Sequence, residues 1–233
     1  MTDHLPIKRI IEESKQIHLT HIKEVDLLKF ALECIDLTTL EGSNTTQDIL
    51  SLCKKTAHLC NPSTASVCVY PIFCKTAKNA LQNTPVKVAC VAGGFPAGQI
   101  PISLKINEVK YAIDEGADEI DMVISRGKFL ENNHAEVFDE IAAIKEVCKH
   151  ITLKVILETG ELKSHENIYK ASDIAIQAGA DFIKTSTGKI TVNATPESFT
   201  SMLLAIKNNY NQTGKQVGIK VSGGIRDITS TQS

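Results

Sequence analysis

The sequence lacks several features that would assign it to a specialised class of protein. Its formal net charge is only -2, so it has no basic excess for general binding of nucleic acid. No apolar run approaches the ~18 residues that a membrane-spanning helix needs. Charged side chains within the first 16 positions argue against a signal peptide. We therefore predict a protein that binds neither nucleic acid nor a membrane.

Cysteine and histidine are present, but without the spacing of a metal site. None of the seven cysteines belongs to a C-x-x-C pair, and the seven histidines are scattered. Cys34, Cys68 and Cys90 lie in apolar runs typical of strands, where a cysteine is usually a small buried hydrophobe. We expect a reducing, cytoplasmic compartment and neither a metal nor another cofactor.

The sequence does contain a regular alternation of short strands and helical segments. Its 233 residues show no linker or low-complexity segment, which predicts a single domain over 1–233 with residues 1–32 as its helical N-terminal extension. Strands are predicted at 34–38, 65–70, 86–91, 119–123, 152–158, 181–184 and 217–221. Helices are predicted at 5–18, 25–32, 46–59, 72–82, 101–115, 134–149, 165–178 and 196–209.

The predicted strands are apolar on one face and polar on the other. A doubly wound sheet buries both faces, so its strands are almost wholly apolar. Charged groups that are buried need partners, so the polar faces should converge. This pattern predicts an α/β fold, a TIM (β/α)₈ barrel. Only seven strands are evident before Ser233, so we expect the barrel domain to be C-terminally incomplete.

Two similar stretches, at 116–121 and 179–184, end in a charged residue on a strand. Side chains alternate along a strand, so Asp121 and Lys184 should point away from the apolar face. Alternate strands of a barrel share a layer, which places the two residues at similar height. The alternatives are a solvent-exposed lysine and a purely structural ion pair.

An inward lysine becomes a nucleophile when burial and a nearby cation favour its neutral amine. Lys220, on the neighbouring strand, is predicted to be that cation. We hypothesise that Lys184 forms a Schiff base with a carbonyl substrate while Asp121 transfers protons. The inward polar residues predicted to support this site are Asp36, Cys68 and Lys154.

Glycine-containing turns follow the sixth and seventh strands. Backbone N–H groups in such turns bind phosphate, and barrels often place phosphate beside their last strands. Plain tight turns are the alternative, because glycine is the usual residue of turns. Together with the inward lysines, these turns predict a phosphorylated carbonyl substrate contacted by Thr187, Gly188, Lys189, Gly223 and Gly224.

Several longer motifs carry a family resemblance. They are Ile35-Asp36-Leu37-Thr38-Thr39-Leu40, Val67-Cys68-Val69-Tyr70-Pro71, Gly94-Phe95-Pro96-Ala97-Gly98, Gly116-Ala117-Asp118-Glu119-Ile120-Asp121, Leu157-Glu158-Thr159-Gly160-Glu161-Leu162, 181–189 and Val192-Asn193-Ala194-Thr195-Pro196. On these motifs the chain resembles the deoxyribose-phosphate aldolase family, class I aldolases with a TIM-barrel fold. The resemblance implies metal-free cleavage of 2-deoxy-D-ribose 5-phosphate to acetaldehyde and D-glyceraldehyde 3-phosphate. It also implies that Lys184 is the imine lysine, Asp121 the proton relay and Lys220 the second lysine.

The chain departs from the family pattern in two places. Val221-Ser222 stands where the family often has Pro-Ala or Ala-Ser, and the eighth strand is not evident, which would leave unpaired strand edges. Two alternatives therefore stay open: a truncated, catalytically impaired form of this aldolase, or a Schiff-base barrel enzyme for another sugar phosphate. The expected partners are a small sugar phosphate and, as one option, a second copy of the chain in a homodimer.

Overall fold

The alternating strands and helices form one parallel sheet. The computed structural model describes residues 5–16, 23–58 and 63–223, and every structural statement below concerns these residues. Seven parallel strands lie side by side in chain order. They are β1 (Asp36–Thr38), β2 (Ser66–Val69), β3 (Lys87–Ala92), β4 (Glu119–Val123), β5 (Thr152–Ile156), β6 (Phe182–Lys184) and β7 (Gly218–Lys220).

Helices precede the sheet and connect its strands. They are α1 (Leu5–Lys15), α2 (Glu24–Glu33), α3 (Thr46–His58), α4 (Cys74–Ala80), α5 (Ile102–Asp114), α6 (Arg126–Leu130), α7 (His134–Cys148), α8 (His165–Gln177) and α9 (Pro196–Thr213). Short 3₁₀ turns at Pro71–Phe73 and Thr159–Glu161 follow β2 and β5. Among the described helices, none combines the length and the apolar character that crossing a membrane would require.

The predicted elements agree with the structure except near some ends and at one short helix. The first helix ends at Lys15 rather than at 18, and the rest of that predicted segment beyond residue 16 lies outside the described residues. The fifth strand ends at Ile156 rather than at 158, because Glu158 has a left-handed φ of 56° that cannot continue a strand. The sequence does not predict α6, whose five residues are too few to show a helical period.

The apolar face of the strands packs against the helices, as the alternation predicts. The fully buried strand residues on this face include Val67, Val69, Ile120, Met122, Leu153 and Val155. They meet buried side chains of α5 and α7 such as Val109, Ile141 and Ile144. Among the described residues, the opposite face holds a small buried apolar cluster of Leu40, Cys68, Ala89 and Val91. The large core therefore lies outside the sheet and leaves the inner face to polar residues.

Ion pairs on the inner face show that the sheet is curled. Lys154 on β5 lies 3.0 Å from Asp36 on β1, although four strand spacings would separate these strands by roughly 19 Å in a flat sheet. Lys220 on β7 lies 2.7 Å from the same aspartate. The sheet therefore curves until its first and last described strands face one another, which is the TIM-barrel arrangement.

The repeated Gly-Ala-Asp turns hold each new strand against the one before it. Asp118 accepts a hydrogen bond from the backbone N–H of Val88 at 3.0 Å and pairs with Lys78. Gly116, with φ 99°, leaves room for the stem of that lysine, since a Cβ would lie 3.0 Å from Lys78 Cγ. The second copy repeats the arrangement with Asp181, Leu153, Lys145 and Gly179.

Removing one of these carboxylates should weaken the barrel without touching its inner face. We expect Asp181→Ala to lower the free energy of unfolding by about 2 kcal/mol, because the backbone N–H of Leu153 and the Lys145 ammonium lose their partner. Urea denaturation would measure the change. Asp173→Ala, on the surface of α8, is the control and should cost less than about 0.5 kcal/mol. Equal losses in the two variants would contradict the clamping role of Asp181.

Candidate active site

Strands β4 and β6 bring together the two residues that the sequence singles out. Lys184 Nζ lies 2.6 Å from Asp121 Oδ2, and both side chains are buried. Both residues point inward, and β5 lies between their two strands. They therefore lie in the same layer of the barrel interior, as the sequence predicts. Because both side chains are buried, this contact acts strongly on the charge state of both groups.

Lys154 on β5 lies at the centre of the inner face. Its ammonium lies 3.0 Å from Asp36 Oδ2, 2.8 Å from Glu119 Oε2 and 3.0 Å from Asp121 Oδ1. Burial alone would lower the pKa of Lys154, but the three carboxylates outweigh it and raise that pKa well above its ordinary value. Lys154 is therefore a fixed positive charge.

Six charged side chains make up what we call the inner ion-pair cluster: Asp36, Glu119, Asp121, Lys154, Lys184 and Lys220. Burial would raise the pKa of Asp36, but Lys154 and Lys220 hold it well below its usual range. Three carboxylates face three ammonium groups, so the cluster has no net charge when all six are ionised. Because the charges balance, their mutual attraction offsets much of the free energy that desolvating them costs.

The structure contradicts the expectation that Lys184 is poised as a neutral amine. Burial lowers the pKa of Lys184, yet the Asp121 carboxylate more than compensates, and the pKa is raised above its ordinary value. For Asp121, burial raises the pKa, but Lys154 and Lys184 outweigh this and lower it. Without substrate the pair is therefore an ammonium and a carboxylate.

Lys220 is a register partner of Lys184 on the neighbouring strand, but its charge is directed elsewhere. Its ammonium lies 2.7 Å from Asp36 Oδ1 and donates to the carbonyl oxygen of Cys34 at 2.7 Å. The strongest cationic influence that lowers the pKa of Lys184 comes from Lys154 instead. Lys154 therefore exerts this influence more strongly than Lys220, whose charge is directed to Asp36 on β1, and the role of Lys220 stays a prediction.

Cys68 on β2 is completely buried beside this cluster. Burial first, and then the negative charge of Asp121, raise the pKa of its thiol to about 12. Cys68 is thus a neutral group in contact with apolar Leu40, Ala89 and Val91. It contributes shape rather than charge to the inner face.

The loops after β6 and β7 meet at their glycines. Gly188 and Gly223 have φ values of 76° and 84°, which glycine adopts without strain. A Cβ on Gly188 would lie 3.9 Å from the Cα of Gly223, and a Cβ on Gly223 would come within 2.2 Å of Asn193 Oδ1. The two predicted phosphate loops are therefore neighbours. Gly224, the remaining predicted glycine contact, lies outside the described residues.

Two predicted phosphate contacts have partners within the protein. Thr187 donates both its N–H and its hydroxyl to the buried carboxylate of Glu158, so it braces the loop instead of offering donors to a ligand. Lys189 Nζ lies 3.0 Å from Glu41 Oε1 at an exposed site. Exposed pairs of this kind contribute little and exchange readily, so Lys189 remains available to another anion.

Two residues of the site region are not singled out by the sequence. Glu119 is inward because it lies two positions before Asp121 on β4, and strand alternation alone could have identified it. Arg126, at the start of α6, pairs with Glu158 and Glu161 at 3.1 Å each. No sequence pattern indicates Arg126, since its helix is too short to predict.

The fold and the site together define a TIM-barrel protein with a lysine–carboxylate centre on its inner face. Residues 30–232 match the family model described as DeoC/LacD family aldolase. This match covers more than half of the sequence, so the chain belongs to the DeoC/LacD family of aldolases.

Similar proteins agree with this family. A deoxyribose-phosphate aldolase from Bos taurus is 45% identical over 215 residues, which make up 86% of this chain and 67% of that protein. A crystal structure from Coccidioides immitis, provisionally assigned as a deoxyribose-phosphate aldolase, has a TM-score of 0.80 at 31% identity, covering 98% of this chain and 88% of the other. The tetrameric deoxyribose phosphate aldolase of Aeropyrum pernix has a TM-score of 0.75 at 27% identity, covering 87% and 81%. The protein is accordingly an enzyme, a class I aldolase of the carbon–carbon lyase type.

The central position of Lys154 yields a stability prediction. We expect Lys154→Met to lower the free energy of unfolding by about 3–5 kcal/mol, because Asp36, Glu119 and Asp121 would lose a buried countercharge. Chemical denaturation would measure the loss. Lys87→Met is the matched control, since Lys87 also pairs with Glu119, at 3.3 Å, but is exposed; its cost should stay below about 1 kcal/mol. A small loss in Lys154→Met would mean that water replaces the missing ammonium.

Proposed function

We propose that the chain cleaves 2-deoxy-D-ribose 5-phosphate to acetaldehyde and D-glyceraldehyde 3-phosphate through a Schiff base on Lys184. The observation that carries the proposal is the buried Lys184–Asp121 pair on the inner face of an aldolase-family barrel. The substrate is supported by the names of the similar proteins. The phosphate is supported by the two adjoining glycine loops.

In this proposal the reaction begins with a proton transfer inside the pair. Lys184 must lose its proton before it can attack, and Asp121, at 2.6 Å, is placed to accept it. The neutral amine adds to the aldehyde carbon of the open-chain sugar to form a carbinolamine. Asp121 then returns the proton to the departing hydroxyl, which leaves as water, and a protonated Schiff base remains.

The protonated Schiff base serves as the electron sink for carbon–carbon cleavage. Loss of the proton from the C3 hydroxyl breaks the C2–C3 bond and releases D-glyceraldehyde 3-phosphate, while the bonding electrons form an enamine on Lys184. Protonation of that enamine at C2, followed by hydrolysis, releases acetaldehyde and restores the amine. We propose Asp121 as the acid and base in these steps because its contact with Lys154 keeps it ionised between them.

The remaining proposed residues hold charge or phosphate. We propose that Lys220 belongs to the catalytic set, because it shares Asp36 with Lys154 and so responds to charge displaced from the Lys184–Asp121 pair. For the phosphate we propose backbone N–H groups of the loops at Gly188, Gly223 and Gly224. Lys189 would leave Glu41 to pair with the dianion, which offers it a stronger partner.

Two alternatives remain beside this function, a catalytically impaired form of the aldolase and a Schiff-base enzyme for a different sugar phosphate. The product distinguishes the proposed function from an enzyme for a different sugar phosphate, because acetaldehyde arises only when C2 of the sugar carries no hydroxyl. We also propose a cytoplasmic enzyme that associates with copies of itself, as the Aeropyrum pernix relative does in its tetramer. A homodimer is the smallest assembly that would satisfy this prediction.

Reductive trapping tests the nucleophile. Borohydride added with 2-deoxyribose 5-phosphate should fix a substrate-derived mass on the peptide that contains Lys184, and Lys184→Ala should carry no adduct. Lys105 serves as an internal control, because it is equally buried and pairs with Glu140, but on the helix side of the sheet. An adduct that persists in Lys184→Ala would contradict the assignment of Lys184 as the nucleophile. A folded wild type that forms no adduct would favour the impaired form.

The role of Asp121 predicts opposite effects on two measurements. Asp121→Asn removes the charge that raises the pKa of Lys184, so the pH at which trapping becomes half-maximal should move down. Turnover should nevertheless fall by about 10²–10⁴-fold, because the proton carrier is lost. The pH dependence of trapping and kcat would be measured side by side. Asp173→Asn makes the same chemical change on the surface of α8 and should alter neither; unchanged kcat in Asp121→Asn would contradict the proton-transfer role.

A further inference from the structure

Side-chain hydrogen bonds fasten the loop after β7 to the loop after β6, and Ser222 makes most of them. Its hydroxyl donates to the carbonyl oxygen of Ser186 at 2.6 Å and accepts from the N–H of Ser186 at 3.2 Å. The N–H of Ser222 donates to Thr185 Oγ1 at 2.9 Å, and the Thr185 hydroxyl donates to the carbonyl oxygen of Ser222 at 3.1 Å. We call this set of contacts the loop clasp.

The loop clasp lies between the lysine centre and the glycines proposed to bind phosphate. Thr185 and Ser186 directly follow Lys184, and Gly223 directly follows Ser222. Thr185 and Ser186 are completely buried, so water cannot easily take over a bond that is lost from their side. The separation of Gly188 from Gly223 therefore depends on contacts that Ser222 makes.

The strands themselves do not need the hydroxyl of Ser222. The N–H of Thr185 donates to the carbonyl oxygen of Lys220 at 3.0 Å, and the N–H of Leu157 donates to that of Lys184 at 2.9 Å. Both bonds join main-chain atoms and survive a change of side chain at position 222. The position of Lys184 beside Asp121 should survive that change as well.

We propose that Ser222 is a positioning residue that sets the spacing of the two phosphate loops and thereby the preference for a phosphorylated over an unphosphorylated sugar. This inference rests on the proposed function, since it assigns the glycine loops to the phosphate of the substrate. A phosphate that bridges two loops needs N–H groups from both loops at a fixed distance. If the loops are not already held at that distance, ordering them costs free energy and binding weakens. Ser222→Ala keeps the main-chain contacts and removes the hydroxyl's two bonds with Ser186 and its 3.4 Å contact with Thr185 Oγ1.

The test compares 2-deoxyribose 5-phosphate with 2-deoxyribose in wild type and Ser222→Ala. We expect KM for the phosphorylated sugar to rise about tenfold in Ser222→Ala, the scale of one or two lost hydrogen bonds, with kcat changed less than about twofold. The kcat/KM for 2-deoxyribose should also change less than about twofold, because that sugar brings no phosphate to the loops.

Ser172→Ala is the matched control for the loss of a buried serine. Its hydroxyl donates to the carbonyl oxygen of Ile168 at 2.7 Å within α8, away from both loops. It should leave the preference for the phosphorylated sugar at the wild-type value. Ser222→Thr retains a hydroxyl and should restore much of the preference lost in Ser222→Ala. Should Ser222→Ala not fold, Ser222→Cys provides a similar size with much weaker hydrogen bonding.

Two results would overturn the inference in an active enzyme. One is a preference for the phosphorylated sugar that stays at the wild-type value in Ser222→Ala and Ser222→Cys. The other is an equal loss of kcat/KM on both sugars, which would place the effect of Ser222 on Lys184 rather than on phosphate. Wild type that releases acetaldehyde from neither sugar would instead refute the proposed function, and with it the preference assigned to Ser222.

Discussion

The ion pairs of Lys154 with three carboxylates are the interaction on which the rest of the barrel interior depends. A buried ammonium is costly unless its partners are close and well oriented. Lys154, on β5, obtains those partners from β1 and β4, since Asp36 lies at 3.0 Å and Asp121 at 3.0 Å. The curvature of the sheet and the charge of the site are therefore one constraint, because a flatter sheet would separate Asp36 from both Lys154 and Lys220.

The same constraint determines the resting state of the proposed chemistry. Asp121 lies between Lys154 and Lys184, so it remains ionised, and its charge in turn keeps Lys184 protonated. In the proposed chemistry, Lys184 becomes a nucleophile when its proton moves to Asp121. In the proposed reaction, a bound carbonyl compound favours that proton transfer. Once the neutral amine of Lys184 bonds to the carbonyl carbon, Lys184 no longer carries the positive charge that the Asp121 carboxylate had balanced. The buried pair is thus compatible with catalysis although the amine is not neutral at rest.

Strand alternation predicted much of this interior, because it depends on short-range geometry. It identified the inward side chains of Asp121, Lys154 and Lys184, and the structure brings them together. It could not predict the partner of Lys220, because Asp36 lies 184 positions earlier and meets Lys220 only through the curl of the whole sheet. The direction of the Lys184 pKa shift depends on the same distances, which a sequence does not contain.

The loops were harder to predict because their contacts involve hydrogen bonds rather than a hydrophobic period. The sequence marks Thr187 as a turn residue beside glycine, but not that buried Glu158, paired with Arg126, takes both of its donors. Each of these hydrogen bonds fixes a single loop residue. The inner residues, by contrast, are fixed both by their positions on strands and by ion pairs with one another. Loop contacts such as those of Ser222 can therefore change without disturbing Lys184. In the proposed function, the preference for a phosphorylated over an unphosphorylated sugar is set in these loops, while Lys184 and Asp121 carry out the attack on the carbonyl group.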